Sequence, residues 1–180
     1  MHADPTESSL SPDVPWVVRP MVVSDVGAAD DLRRAVGWNQ AASHWNLMLA
    51  LEPRGCFVAT TGTRLIGTVT TTTYGDRLAW IGMMVVDPEF RGRGIARRLM
   101  GEAIDWIRGK GIATIRLDAT PAGRPLYSKL GFVEETSMQR WLRPPGPTLP
   151  EGAVDLAGPR LLLPEDWDAV DALDRFERHW

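Results

Sequence analysis

The feature that most constrains the fold is an unbroken apolar run that leads, through a short turn, into a helical repeat. Residues 80–86 are apolar at every position, which is typical of a strand covered on both faces. Asp87 and Pro88 end that strand, and the pattern becomes helical from Gly94 onward. The apolar residues of this helix recur at every fourth position: Ile95, Leu99, Ala103 and Ile107. The sequence therefore predicts a buried strand, a glycine-containing turn and an amphipathic helix in series.

Three more strands are predicted close to this unit. Residues 56–60 and 65–74 precede the apolar strand, which we extend over residues 78–87, and turn residues between the three predict an antiparallel meander. Residues 113–119 follow the helix and alternate apolar and polar side chains, as a strand does. A strand, helix, strand series predicts a parallel pair joined by a right-handed crossover. The predicted fold class is therefore α/β, with a central mixed sheet flanked by helices.

The predicted elements outside this core are a strand over residues 16–23, a helix through Leu32 and Val36 that Ser24 or Asp25 can cap, and helices over residues 40–51 and 121–130. These additions place helices both before and after the meander. The chain is long enough for one well-buried domain plus some extra chain, and too short for two full domains.

Four segments are predicted along the chain. They are a disordered amino-terminal tail (residues 1–15), the folded domain (16–143), a proline-rich linker (144–152) and a carboxy-terminal segment (153–180). Residues 160–166 resemble residues 19–25, and the match continues in register into the helical pattern. Trp167, Phe176 and Trp180 are too apolar for a free tail. The last segment is interpreted as the start of a second copy of the domain or as a segment that packs or mediates a homodimer, with chance similarity as the alternative.

Composition excludes several classes of function. The formal net charge of −3 and the pI near 5.6 give no electrostatic footprint for nucleic acid or an anionic membrane. Cys56 is the one cysteine, which excludes an intrachain disulfide framework and a cysteine-based zinc site, and no metal is predicted. The apolar residues around Cys56 indicate that it is a small core residue. Residues 1–15 carry no apolar segment that a signal peptidase or a bilayer would accept, so a cytoplasmic protein is predicted.

The turn before the helix has the chemistry of a phosphate site. Consecutive backbone N–H groups that lead into a helix N-terminus can hold a pyrophosphate, and Gly92 and Gly94 let its oxygens approach the main chain. The helix dipole adds partial positive charge, and Arg91 and Arg93 can add whole charges. No Walker lysine follows, and Arg97 stands where a dinucleotide fingerprint needs its third glycine. The alternative is a tight strand-to-helix connection with solvated arginines.

Two motifs resemble one known family. Residues 87–96 resemble the acetyl-CoA signature of the GNAT superfamily of N-acetyltransferases, with Arg91, Gly94 and Ala96 at its defining positions. Residues 126–132, Leu-Tyr-Ser-Lys-Leu-Gly-Phe, resemble the segment that closes the same fold. The resemblance covers residues 16–143. It implies a splayed central sheet with the cofactor in the opening between the two parallel strands.

The resemblance also implies the site residues. The backbone of Met84, Val85 and Val86 would pair with the pantetheine amides of acetyl-CoA. The pyrophosphate would lie on the loop, at Arg91, Gly92, Arg93, Gly94, Ile95 and Ala96. The family's frequent Asn and Ala fall on Thr120 and Gly123, which take the corresponding cofactor positions. The implied activity is transfer of an acetyl group from acetyl-CoA to a primary amine, on a small molecule or a peptide, by direct attack.

By the same resemblance, Tyr127 is the proton donor for the departing thiolate, with a core aromatic as the alternative. The strand before Met83 carries no acid, which removes the family's commonest source of a general base. Asp118 leads the other candidates, and a water chain or no dedicated base is equally open. The weaker candidates for the base are Glu89, Asp76 and His44; Trp38, Trp45 and Trp80 can line an acceptor pocket but favour core positions. A non-catalytic acyl-CoA-binding module and a structural half of a tandem protein are the competing functions.

Overall fold

The computed structural model describes residues 14–139, 141 and 161–177. The chain divides into two compact units, Met1–Glu134 and Glu135–Trp180. The predicted linker over residues 144–152 lies outside the described residues, as does the predicted tail except for Val14 and Pro15, so both stay predictions. No helix in the described ranges is long and apolar enough to cross a bilayer.

Five strands of the first unit form one sheet, in the order of the sequence. They are β1 (Val17–Pro20), β2 (Phe57–Thr61), β3 (Arg64–Tyr74), β4 (Leu78–Val86) and β5 (Thr114–Leu117). Neighbours from β1 to β4 are antiparallel, whereas β5 runs parallel to β4. The expected meander and the mixed sheet are confirmed.

Helices cover the sheet on both faces, which buries the apolar strand as its sequence predicts. The helices of this unit are α1 (Val26–Ala35), α2 (Ala42–Leu51), α3 (Ile95–Gly109) and α4 (Arg124–Lys129). The apolar face of α3 packs in one core with Ile66 and Ile81 of the sheet. α1 and α2 pack in a second core with Val58, Leu65 and Val85. Because alternate strand residues face opposite sides, the two cores lie on opposite faces of the sheet, and no residue of β4 is exposed.

Cys56 lies in the second core, which confirms its interpretation as a core residue. Its side chain is 0% exposed, and burial raises the pKa of the thiol to about 11. The thiol is therefore protonated at neutral pH and shielded from solvent.

The first predicted strand is too long at its carboxyl end. β1 ends at Pro20 and not at Val23, because proline has no N–H to donate to a neighbouring strand. Asp25 then accepts the N–H of Val22 at 2.9 Å and closes a 3-10 turn over Val23–Asp25. Asp25 also directly precedes α1, but its carboxylate binds this turn and Arg19 and makes no cap with the helix amides.

Two predicted helices begin too early, because local hydrogen bonds close a turn before them. α2 begins at Ala42 and not at residue 40, since the Nδ1 atom of His44 accepts the N–H of Ala41 at 2.8 Å. α4 begins at Arg124 and not at residue 121, because the N–H of Gly123 donates to the carbonyl of Thr120 at 2.9 Å. Both polar contacts stabilise a turn that helical periodicity does not reveal.

An ion pair between a buried carboxylate and a partly exposed ammonium group joins the end of α2 to β3 and α3. Glu52 is 6% exposed, and its carboxylate accepts from Lys110 Nζ at 3.0 Å and from the backbone N–H and hydroxyl of Thr73. The ammonium group also lies 4.4 Å from the centre of the Trp106 ring. Burial acts to raise the pKa of Glu52, but the hydrogen bonds from Thr73 and Lys110 outweigh it and hold the pKa below its ordinary value.

We expect Lys110→Met to lower the free energy of unfolding by about 1 kcal/mol at pH 7, because the buried Glu52 carboxylate would lose its cation while keeping its bonds from Thr73, and because solvent screens Lys110, whose side chain is 40% exposed. The folded-state pKa of Glu52 is depressed, so the pair stabilises the fold above the carboxyl's unfolded pKa of about 4.3 and less as pH falls through the folded value. The difference between parent and variant should therefore shrink below about pH 4. Urea unfolding from pH 3 to pH 8 measures it.

The matched control is Arg98→Met. Arg98 pairs with Glu102 on the exposed face of α3, with side-chain exposures of 63% and 32%. We expect a change under about 0.5 kcal/mol with little pH dependence. Equal losses of unfolding free energy in the two variants would show that the Glu52–Lys110 pair stabilises the fold no more than an exposed ion pair does.

The second unit repeats the start of the first in local geometry. A 3-10 turn over Pro164–Asp166 leads directly into α5 (Trp167–Glu177), as Val23–Asp25 leads into α1. Asp166 accepts the N–H of Leu163 at 2.8 Å, the same contact that Asp25 makes with Val22 at 2.9 Å. The sequence match thus extends to the backbone of the turn over residues 163–166 and 22–25 and to the aspartate contact that closes it.

The two starts differ in what covers their apolar faces. Met21 and Leu32 are 2% and 7% exposed, whereas Leu162 and Leu173, at the same positions of the repeat, are 59% and 69% exposed. Trp167, which corresponds to buried Val26, is 56% exposed. Trp180 lies outside the described residues. The apolar positions that are buried in the turn and helix of the first unit are therefore exposed at the corresponding residues of the second unit.

Candidate active site

The two parallel strands separate and leave a cleft. β4 pairs with β5 only from Leu78 to Ile81, opposite Thr114 to Leu117, and continues to Val86 without that partner. The cleft that opens there encloses about 60 Å³. Its walls are formed by Trp38, Ile81, Gly82, Met83, Met84, Leu117, Asp118, Thr120 and Tyr127. The splayed sheet implied by the motifs is confirmed, and the cleft borders the part of β4 that leads to the glycine loop (residues 91–96).

One wall of the cleft contains a β-bulge. Thr68 pairs with Val85 and Thr70 with Gly82, so that two residues of β4, Met83 and Met84, lie opposite one residue of β3. Met83 has a φ of 49°, in the left-handed region that non-glycine residues rarely adopt. The apolar run contains no signal for this bulge, because glycine, the usual residue at such a position, does not stand there.

The glycine loop has the backbone that its sequence predicts. Gly92 and Gly94 have φ values of 77° and 78°, and a Cβ added at either position would meet no atom within 4 Å. α3 begins at Ile95 without a side-chain cap on its first N–H groups. Open space, uncapped donors and the helix dipole together fit an anionic phosphate group at this loop.

Several contacts hold the glycine loop against the sheet. Arg64 of β3 binds Asp87 and Glu89 at 2.7 Å each, and Asp87 accepts the N–H of Glu89 at 3.0 Å. Phe90 is 2% exposed, and the guanidinium groups of Arg64 and Arg93 lie 5.0 and 5.1 Å from its ring centre. Glu89 therefore supports the loop and does not face the cleft as a base would. Sequence reasoning missed Arg64, because an exposed strand-end arginine carries no sign of a distant partner.

Tyr127 reaches the cleft from α4. The phenol ring is half-buried and packs edge-on against Phe132 with ring centres 6.2 Å apart. Burial raises the pKa of Tyr127, so its hydroxyl stays protonated at neutral pH and has a proton to donate. Within residues 14–139, the structure gives this hydroxyl no hydrogen-bond partner, unlike a core tyrosine whose hydroxyl has found one.

Gly123 and Thr120 lie beside this tyrosine. A Cβ at Gly123 would stand 2.7 Å from Cε2 of Tyr127, too close for the ring to keep its place. The glycine that replaces the family's alanine therefore leaves room for the ring. Thr120 forms part of the cleft wall, and its hydroxyl oxygen accepts the N–H of Gly123 at 3.3 Å. Thr120 thus shapes the turn that carries Gly123 and the start of α4.

Trp38 lies in the cleft because a buried ion pair holds its backbone. Asp30 and Arg33 are 3% and 8% exposed and bind each other at 2.8 Å. The guanidinium group of Arg33 also donates to the carbonyl of Trp38, whose own N–H donates to the carbonyl of Arg33 at 3.2 Å. The structure therefore separates the three tryptophans: Trp45 is a core residue at 0% exposure, Trp80 lies half-buried in β4, and Trp38 faces the site.

Of the four candidates for the general base, Asp118 is the one that lines the cleft. His44 accepts the N–H of Ala41 and closes the start of α2. Asp76 lies in the turn before β4, at the opposite end of that strand from the glycine loop. In the described part of the chain, no group of three or more His, Cys, Asp or Glu side chains is arranged to hold a metal ion.

Comparison with solved structures shows the fold. A candidate acetyltransferase from Pyrococcus horikoshii aligns with a TM-score of 0.62 and 26% identity, over 75% of this chain and 47% of that one. The NatC complex bound to Gag peptide and CoA aligns with a TM-score of 0.61 and 23% identity, over 67% of this chain and 86% of that chain.

Comparison of sequences shows the family. An uncharacterized N-acetyltransferase of Escherichia coli (strain K12), YhbS, is 40% identical over 60 residues, which are 32% of this chain and 34% of the relative. The match thus spans about a third of that relative's length. The model of the acetyltransferase (GNAT) family matches residues 28–132, from α1 through α4 to Phe132. The chain belongs to the acetyltransferase (GNAT) family.

Proposed function

We propose that the chain is an N-acetyltransferase that moves an acetyl group from acetyl-CoA to a primary amine by direct transfer. The observation that carries this proposal is the cleft itself, in which Tyr127 faces the free edge of β4 while that strand leads to the glycine loop. One arrangement thus offers a proton donor, backbone for a ligand and a phosphate site. The structural neighbour solved with CoA and a peptide supports an acyl-CoA as the donor.

The proposed cofactor path follows β4 and then the loop. The pantetheine amides pair with the backbone of Met84, Val85 and Val86, which β5 leaves unpaired. The pyrophosphate lies on the N–H groups of Gly92 to Ala96, and Arg91 and Arg93 flank it. Thr120 and Gly123 border the pantetheine arm from the other wall. The open space before both glycines supports this path.

The proposed chemistry uses few groups of the protein. The amine nitrogen attacks the thioester carbonyl, the C–S bond breaks, and Tyr127 donates its hydroxyl proton to the departing thiolate. The amine loses a proton to Asp118, directly or through water. Holding the two reactants in contact supplies the larger part of the rate. The acceptor, on a small molecule or a peptide, enters beside Trp38.

Calorimetric titration of acetyl-CoA, followed by a thiol-release assay with a panel of amines and peptides, tests the proposal. We expect binding in the range of about 1 µM to 1 mM and amine-dependent release of CoA. Binding without release for every amine would favour a non-catalytic acyl-CoA-binding module. No binding at millimolar ligand would contradict the proposal.

A second candidate function is a structural half of a tandem protein, which the repeated start at Pro164–Asp166 and α5 favours. In this proposal residues 153–180 open a second copy of the domain, and the exposed Leu162, Trp167 and Leu173 face a partner surface. The alternatives are packing on the domain and homodimerisation.

Hydrogen exchange on the full chain, at two protein concentrations, tests whether the apolar face of α5 is covered. We expect α5 amides to exchange more slowly than a free 11-residue helix allows, because an isolated helix of that length is marginal in water. Protection that grows with concentration would identify a homodimer. Unprotected amides at both concentrations would contradict packing and dimerisation alike.

A further inference from the structure

We propose that Thr68 is a positioning residue for acetyl transfer: its buried hydroxyl fixes the bulge of β4 that forms one wall of the cleft. The inference rests on the proposed function for its kinetic consequence. The structural part, that one hydroxyl determines the backbone shape at Met83, stands on the fold alone.

The bulge places Met83 in an unfavourable backbone conformation. Among the described residues, Met83 is the one non-glycine residue with a positive φ, at 49°. A side chain with a Cβ disfavours this region, so the surrounding structure must hold the residue there. A regular β4 without the bulge would place Met83 opposite Val69 and shift every following residue by one position. A regular strand is therefore the competing state.

Thr68 supplies the contact that favours the bulged state. Its side chain is 0% exposed, and its Oγ1 donates to the carbonyl oxygen of Met83 at 2.7 Å. A hydroxyl in a dry interior needs a partner, and the carbonyl of a bulged residue is left outside the regular ladder. Each group satisfies the other, and both lose that partner if β4 straightens.

The neighbouring threonines of β3 bind elsewhere. The hydroxyl of Thr71 donates to the carbonyl of Gly55 at 2.9 Å, and that of Thr73 to Glu52. Thr72 contacts the sulfur of Met48. Of the threonine hydroxyl bonds described for β3, that of Thr68 is the one that reaches β4. All four threonines are β-branched and therefore favour a strand. The hydroxyl of Thr68 has the additional role of binding the bulge of β4.

The consequence for the reaction follows from where the bulge lies. Gly82, Met83 and Met84 line the cleft, and Tyr127 stands on another wall of it. The backbone at the bulge therefore determines how a thioester on β4 is aimed at the tyrosine hydroxyl. Val85 and Val86, which lie past the bulge, and the glycine loop would still bind the rest of acetyl-CoA. Loss of the hydroxyl should reduce the rate of transfer more than cofactor affinity.

The test compares Thr68→Val with Thr68→Ser and Thr71→Val. Valine keeps the shape of threonine and removes the hydroxyl, and serine keeps the hydroxyl. Thr71→Val removes a hydroxyl that is equally buried on the same strand and also binds a carbonyl, but its partner Gly55, unlike Met83, is absent from the cleft walls. We expect Thr68→Val to lower kcat about 10- to 100-fold with the acetyl-CoA Kd within about threefold. Thr68→Ser should restore most of the rate, and Thr71→Val should leave kcat unchanged.

A readout besides activity separates failure of this inference from failure of the proposed function. The backbone amide resonances of Gly82, Met83 and Met84 should shift in Thr68→Val, stay near the parent values in Thr68→Ser, and stay unchanged in Thr71→Val. These shifts decide the structural part even if no amine is acetylated. Unchanged resonances in Thr68→Val, or a kcat within twofold of an active parent, would overturn the proposal and leave Thr68 as a core residue.

Discussion

Replacing Tyr127 with phenylalanine is expected to lower kcat for amine-dependent CoA release about 100-fold or more, with acetyl-CoA binding retained. Tyr127 lines the cleft, and its hydroxyl is protonated at neutral pH because burial raises its pKa. It therefore has a proton to give to the departing thiolate. Phenylalanine keeps the edge contact with Phe132 and removes only the hydroxyl. Calorimetry for binding and thiol release for turnover measure the two effects separately.

The chain offers a matched control in Tyr74, its other tyrosine, which is 52% exposed at the end of β3. Tyr74→Phe should leave both binding and turnover unchanged. If Tyr127→Phe turns over as fast as the parent, a water molecule protonates the thiolate and the tyrosine is a packing residue. If it loses binding as well, the hydroxyl contributes to acetyl-CoA binding and its role as a proton donor is not supported.

Replacing Gly94 with valine is expected to weaken acetyl-CoA binding at least about 100-fold. Gly94 has a φ of 78°, which a β-branched residue resists, and its Cβ would project into the open space where the pyrophosphate is proposed to lie. The backbone strain lowers the free energy of unfolding by about 1–2 kcal/mol. The loss of affinity adds to this, because the N–H groups at the start of α3 would no longer be reachable.

Gly75→Val separates strain from obstruction. Gly75 has a φ of 63°, has open space at its Cβ, and lies in the turn between β3 and β4, at the opposite end of β4 from the glycine loop. We expect a similar loss of stability and no loss of acetyl-CoA affinity. Equal affinities for the two variants would contradict the phosphate site and support the alternative of a tight strand-to-helix connection.

The parts of the fold that the sequence predicts are those encoded by local patterns. The apolar run of β4 predicts a strand between two layers, and the four-residue spacing that includes Leu99 and Ala103 predicts the buried face of α3. The left-handed backbone at Gly92 and Gly94 follows from the residue type. Each of these depends on neighbours in the chain, so the sequence is sufficient for it.

The parts that the sequence does not predict depend on residues far apart in the chain. The bulge at Met83 needs Thr68, and the support of the glycine loop needs Arg64. Trp38 enters the cleft through the buried Arg33. The residue types at these positions are common on any surface or strand, and only the three-dimensional fold joins them. The resemblance to the family points to Thr120 and Gly123, whereas their positions beside Tyr127 depend on the fold of the turn before α4.

The burial of Cys56 has a practical consequence for every assay above that detects a free thiol. The chain has no other cysteine, and this one lies in the core between the sheet and the α1–α2 layer with its pKa raised to about 11. A disulfide reagent added to the native protein should therefore react with released CoA and leave Cys56 unlabelled. Labelling of the protein would show that α1 and α2 have separated from the sheet and exposed Cys56. The rate at which the reagent labels Cys56 therefore measures how often this half of the core opens.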